Sequence, residues 1–218
     1  MARRALTTTA TALTIAASFL LTGCGGGDDS SSGGIEGADT GSGSPSASAS
    51  AAADGNAPDV SVPADVKLVF DFTEPSDAKQ AAALTNAQNY LRALNHGIVK
   101  QDADDPAYQY YSGGQAATYA KQQIQAWVKG GWTPTGTDRF YDQDVKTLND
   151  GKRVLVRFCE NQAKFYSKEI KSGKVLYTDA NLDSYLKYSV LMLPPAGSSN
   201  VWKASVIEVA GKAKECQA

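Results

Sequence analysis

The chain has 218 residues, 42% of them hydrophobic and 20% charged, with 21 Lys and Arg against 23 Asp and Glu and a formal net charge of −2. So even a balance argues against a nucleic-acid partner and against a strongly charged substrate gathered by a long-range field. Three cysteines and a single histidine leave little from which to assemble a metal site.

Residues 1–23 read as an export signal. Arg3 and Arg4 supply the positive start, Ala12 to Leu21 the apolar run, and the small residues Thr22 and Gly23 precede Cys24. The run is too short for the ~20 apolar residues of a membrane-spanning helix. Leu21-Thr22-Gly23-Cys24 resembles the lipobox of bacterial lipoproteins of the Gram-positive type: an aliphatic residue and two small ones before a cysteine. The resemblance implies that the Cys24 thiol carries a diacylglyceryl group and that cleavage makes Cys24 the first residue of the mature chain. It places the protein on the outer face of the cytoplasmic membrane. The arginine pair lacks the rest of a twin-arginine pattern, so general secretion is the expected route.

Residues 24–57 are almost entirely Gly, Ser, Ala and Asp, with Ile35 the one large apolar side chain. Such a composition cannot offset its own ordering entropy and predicts a flexible tether. Its end-to-end distance, ~5–6 Å × √n, is roughly 30 Å.

Residues 58–218 have the size of one domain and hold all ten tyrosines and all three tryptophans. They carry 19 basic and 18 acidic residues. Val66 to Phe72 predicts a short leading strand. Pro75-Ser76-Asp77 starts a helix, with Ser76 as the expected N-cap. Leu84, Ala87, Leu91, Leu94 and Ile98 then form one apolar face at 3-4-3-4 spacing. Asp105-Pro106 opens a shorter tyrosine-rich helix that Ser112-Gly113-Gly114 breaks. A third helix is expected over Gln115 to Lys129, burying Ala116, Ala120, Ile124, Trp127 and Val128. From there the period becomes two. Strands are expected at Thr137 to Leu148, around Val154 to Cys159, at Phe165 to Ile170, at Lys174 to Tyr177, at Tyr185 to Leu193 and at Val201 to Val209. Asn149-Asp150-Gly151 and Lys171-Ser172-Gly173 mark turns. Cys159 and Cys216 are the two cysteines left once lipidation claims Cys24, and in an exported chain an even pair reads as one disulfide.

Helices followed by a meander predict an α+β domain, with N-terminal helices packed on a curved antiparallel sheet. The order, together with Val154-Leu155-Val156-Arg157-Phe158-Cys159-Glu160, Ser172-Gly173-Lys174-Val175, Val201-Trp202-Lys203-Ala204 and the late Cys216, resembles the nuclear-transport-factor-2-like cone. It also resembles Gram-positive lipoproteins that carry such a domain behind a Ser/Gly tether. The resemblance implies a sheet curled around its helices, often with a cavity. It spans binding domains, isomerase- or dehydratase-like enzymes and adaptors, so it does not assign an activity.

Few residues suggest chemistry. His96, near the end of the first long helix, is expected as a helix-end cation or surface residue in preference to a catalytic base. Asp102, Asp104 and Asp105 lack the Gly and distal Glu of a calcium loop and read as a solvated helix start. Asp138, Tyr141, Asp142 and Asp144 offer the residue types of a carboxylate–tyrosine isomerase, without a spacing that singles out a pair. Among the aromatics, Tyr90, Tyr111, Trp127 and Trp132 are the candidates to line a pocket mouth. The expected function is a membrane-anchored, non-catalytic module that binds a small apolar or lipid ligand or an envelope protein, with no cofactor, no metal and no nucleic acid. The alternative is an isomerase- or dehydratase-like enzyme.

Overall fold

The computed structural model describes residues 57–217. The export signal, Cys24 and the tether up to residue 56 lie outside the described residues. Strand β1 (Val66–Asp71) comes first, followed by helices α1 (Ala78–Lys100), α2 (Pro106–Tyr111) and α3 (Gly114–Gly130). Strands β2 (Trp132–Thr147), β3 (Val154–Glu169), β4 (Val175–Leu176), β5 (Tyr185–Leu193) and β6 (Lys203–Gly211) complete the domain. The sheet runs β1-β2-β3-β5-β6, with β4 paired to the far end of β3. Helices lie over one face of a curved sheet, the α+β class expected from the chain order.

Several boundaries differ from the sequence reading. Asp77, not Ser76, caps α1: its carboxylate accepts from the Lys79 and Gln80 amides. β2 begins five residues early, at Trp132, and β3 is one strand of 16 residues where two shorter ones were expected. The sheet is also not wholly antiparallel. β1 pairs with β2 in parallel, the three helices forming the long crossover such a pair requires. Val128, expected in the core, is 39% exposed.

The helical face read from the sequence packs as expected: Leu84, Ala87, Leu91, Leu94 and Ile98 are all buried. Gly97 lets α3 approach, since a Cβ there would meet the Ile124 Cδ1 at 2.6 Å. Opposite the helices, a file of rings crosses the sheet. Phe70 stacks on Phe140 at 4.7 Å, Phe140 meets Phe158 edge-on at 5.9 Å, and Phe158 stacks on Tyr188 at 5.1 Å. Ring pairs on directly opposed residues, as Phe70 with Phe140 and Phe158 with Tyr188, hold strand register as well as burying area.

Two irregularities bend β2 against β3. Between Thr137 and Arg139 the pairing skips a residue on β3, and between Tyr141 and Asp144 it skips one on β2, where Asp142 takes a φ of 53°. A bulge bends its strand and increases local twist. Gly136 adds a third device. Its φ is +99°, and a Cβ on it would stand 2.1 Å from the Lys164 carbonyl oxygen.

On the opposite face of β3, Cys159 forms a disulfide with Cys216, and the two lie with Tyr141 and Ala213 in a small separate cluster. The Tyr141 hydroxyl donates to the Cys216 carbonyl, so the C-terminal segment is held by a covalent and a polar contact.

Gly136→Ala is expected to destabilise the domain by about 3 kcal/mol, through forbidden backbone geometry and a backbone clash, read as a lower urea midpoint. Reducing the Cys159–Cys216 bridge, which closes a loop of 57 residues, should cost roughly 4 kcal/mol in the loop-entropy account, measured by unfolding with and without reductant.

Candidate functional site

Along β3, Val154, Val156 and Phe158 face the helices, and strand alternation places Glu160 on that same apolar face. Asp138 on β2 lies opposite the β3 bulge, one rung further along. Both carboxyl groups are out of water, at 2% and 5% exposure, and Asp138 Oδ1 and Glu160 Oε2 have no hydrogen-bond partner. Tyr188 on β5 donates to Glu160, and Tyr119 of α3 hydrogen-bonds in turn with Tyr188. Two carboxyls and two phenols therefore form a continuous polar cluster between sheet and helices.

The electrostatics follow from that burial. Asp138 is pushed well above the usual carboxylate range, chiefly by desolvation and then by the charge and hydrogen bond of Glu160. The Arg139 amide opposes the shift. Glu160 is also raised by burial, against the hydrogen bonds from Asp138 and Tyr188. Two carboxylates at one buried site cannot both ionise cheaply, so the pair retains a proton. Asp138 and Glu160 share that proton through the hydrogen bond between them. Tyr188 is raised well above its ordinary value by burial and by the neighbouring Glu160 charge, which keeps it a donor. Chemically, the cluster offers a neutral acid, a carboxylate and phenolic donors, a set suited to moving a proton or binding a carbonyl.

A half-open cleft of about 380 Å³ lies further along β3. Trp132, Phe165, Tyr166 and Leu176 form its apolar walls, and Gln162, Asp179 and Asp183 are among its polar ones. Gln162 belongs to the bulge that faces Asp138, but neither Asp138 nor Glu160 lines the cleft. Its rim is built by hydrogen bonds: the Gln162 amide donates to the Asp183 carbonyl at 3.2 Å, and the Asn181 side chain accepts from the Asp183 amide at 2.7 Å.

The four aromatics expected at a pocket mouth do not come together. Trp132 alone lines this cleft. Tyr90 is fully buried, its hydroxyl donating to the Ala116 carbonyl at 2.8 Å. Tyr111 sits in the core edge-on to Tyr110, and Trp127 packs half-buried against it. Their positions on the inner helix faces draw them inward.

Of the four residues considered for carboxylate–tyrosine chemistry, Asp138 reaches the interior. Tyr141 lies by the disulfide, Asp142 forms a bulge, and Asp144 pairs with Arg157 and Lys146. Glu160, Tyr188 and Tyr119 were missed as a set. Their signal was a glutamate in phase with Val154, Val156 and Phe158.

His96 does not lie at the surface. It is buried, with Nδ1 3.0 Å from the Asp105 carboxylate, which also caps α2 by accepting from the Ala107 amide at 2.7 Å. Asp104 pairs with Lys121 at the surface. Among the described residues no group of three or more acids, histidines or cysteines is placed to hold a metal ion.

No known protein family matches the chain, and no curated protein does. Among solved structures it is similar to a ketosteroid isomerase-like protein from Erwinia carotovora atroseptica, at 12% identity over 62% of this chain and 97% of that one, with a TM-score of 0.42. It is similar also to the intermembrane space region of the chloroplast protein ARC6, at 13% identity over 59% and 96%, with a TM-score of 0.35. Likenesses this remote carry no activity to the chain.

The buried pair makes stability fall with pH. In the unfolded chain Asp138 titrates near 3.8, and in the fold well above. Its contribution is thus complete below the unfolded value and is lost as pH rises through the folded one, at up to about 1.4 kcal/mol per pH unit for one proton. Asp138→Asn should flatten that slope and raise stability at alkaline pH, measured as urea midpoints across pH. An unchanged slope would contradict the assignment.

Proposed function

We propose that the protein is a lipid-anchored module of the cell surface that binds a small ring-shaped or apolar molecule in the cleft beside Trp132. The cleft carries this reading: its volume is that of a small-molecule site, and aromatic walls with a few polar groups are the usual means of orienting one. The lipobox-like Cys24 and the Gly/Ser tether support placement on the outer face of the cytoplasmic membrane. The balanced charge of the domain fits a neutral ligand.

A second reading is favoured by one specific observation, the buried carboxyl groups of Asp138 and Glu160 gathered with the Tyr188 hydroxyl. In that reading a bound carbonyl compound is protonated or isomerised, with Asp138 as acid and Glu160 as the base that receives the proton back. Opening of the helices over the cluster would be required first.

Native mass spectrometry of the protein purified from its producer separates these readings. A bound small molecule that leaves on denaturation supports the binding module, and Trp132→Ala should lower its occupancy by about tenfold or more. A ligand that is chemically converted by the wild type and unchanged by Asp138→Asn supports the enzyme. A bare protein that co-purifies with an envelope protein would replace both by an adaptor. For the anchor, the mass of the mature protein is expected to show a lipid on Cys24 that Cys24→Ser abolishes; a mature chain of unmodified mass would overturn lipidation.

A further inference from the structure

One end of the domain gathers exposed apolar side chains that the cleft does not explain. Val128 is 39% exposed in the last turn of α3, Trp132 38% at the start of β2, Ile170 48% just past β3, and Tyr177 76% just past β4. Backbone bonds bring them together. The Gly131 amide donates to the Val128 carbonyl and the Ile170 amide to the Gly131 carbonyl, both at 3.0 Å. Tyr177 is held edge-on to Tyr166 at 4.9 Å. Large apolar side chains left in water at one tip are a contact surface more often than an accident.

The tip is framed by cations. Lys129, Lys171 and Lys174 are exposed. The acids of this end are Glu169, which accepts from the Ser172 hydroxyl at 2.6 Å, and Asp179 and Asp183 in the cleft wall, Asp183 being paired with Lys212. Lys168 is neutralised by Asp65. An aromatic and aliphatic surface inside a lysine fringe matches an anionic bilayer, where Trp and Tyr settle among headgroups and lysines face phosphate.

The chain also enters the domain at this end. Val66 opens β1 opposite Gly136, near the start of β2 at Trp132. Gln101, the C-cap of α1, donates from its side chain to the Trp132 carbonyl at 2.9 Å. Asp65, the residue before Val66, bonds Thr135 and Lys168. An anchor at Cys24 would therefore tether the domain by the end that carries the patch.

We propose that Val128, Trp132, Ile170 and Tyr177, fringed by Lys129, Lys171 and Lys174, form a docking surface that rests on the anionic lipid bilayer. The cleft then opens toward the membrane. Only the orientation rests on the anchoring reading; the affinity of the tip for lipid does not.

The test uses the full chain carrying Cys24→Ala, which cannot be lipidated there, and phosphatidylglycerol vesicles in a sedimentation assay. Any contribution of the N-terminal segment is common to all variants. Each lysine near an anionic surface is worth about fivefold in partitioning, so Lys171→Ala with Lys174→Ala should lower it about thirtyfold. At high salt the residual binding should fall further on Ile170→Ser. All three residues are exposed, and near-ultraviolet circular dichroism checks that the variants keep the native fold. Equal partitioning of parent and lysine variant, or equal binding to phosphatidylglycerol and phosphatidylcholine vesicles, overturns the proposal. A mature wild-type protein whose mass shows no lipid on Cys24 would overturn anchoring and leave this result standing.

Discussion

The curvature of the β2–β3 pair governs the rest of the molecule. Gly136 passes so close to the Lys164 carbonyl that no side chain fits between them, and a bulge follows on each strand. Those devices let two 16-residue strands wrap the helices instead of running flat past them. They also aim the side chains. Asp138 stands opposite the first bulge and Glu160 a rung away, which brings two acids of distant sequence to one buried site. Gln162, within the bulge, turns to the cleft.

β3 serves two different interiors by strict alternation. Its even-numbered residues from Val154 to Glu160 feed the main core, and Cys159 on the other face ties down the C-terminus. The two faces carry opposite energetic signs. The disulfide and the ring file from Phe70 to Tyr188 stabilise the fold, whereas two carboxyl oxygens without partners cost stability. A packed apolar pair of similar volume would be cheaper at that position. That a buried acid pair stands there with phenolic donors arranged around it is a motive for the functional readings, because such clusters are found where protonation is put to use.

Cleft, apolar tip and chain entry share one end of the domain. Trp132 belongs to two of the three: one part of its surface lines the cleft and another joins Val128 and Ile170 at the tip. Two further large apolar side chains are exposed elsewhere among the described residues, Leu193 at the end of β5 and Val206 on β6.

Local patterns determined a good deal by themselves. The 3-4-3-4 spacing of Leu84 to Ile98, the turn residues, the period-two runs and the even pair of cysteines all act over a few residues or through composition. Each was therefore legible, and so was the order of helices before strands, whereas the cap of α1 falls one residue past the expected Ser76. Glu160, a charge in phase with three buried apolar residues, left a local signal that went unread. What only the tertiary structure decided was which distant residues meet. The skipped residues in β2–β3 pairing join Asp138 to Glu160, packing of α3 brings Tyr119 to Tyr188, and inward-facing helix positions draw Tyr90 and Tyr111 into the core and leave Trp132 at the cleft. No single-chain pattern encodes those choices, because register and helix-on-sheet packing depend on contacts between segments far apart in sequence, and a shift of one residue would send each side chain to the other face.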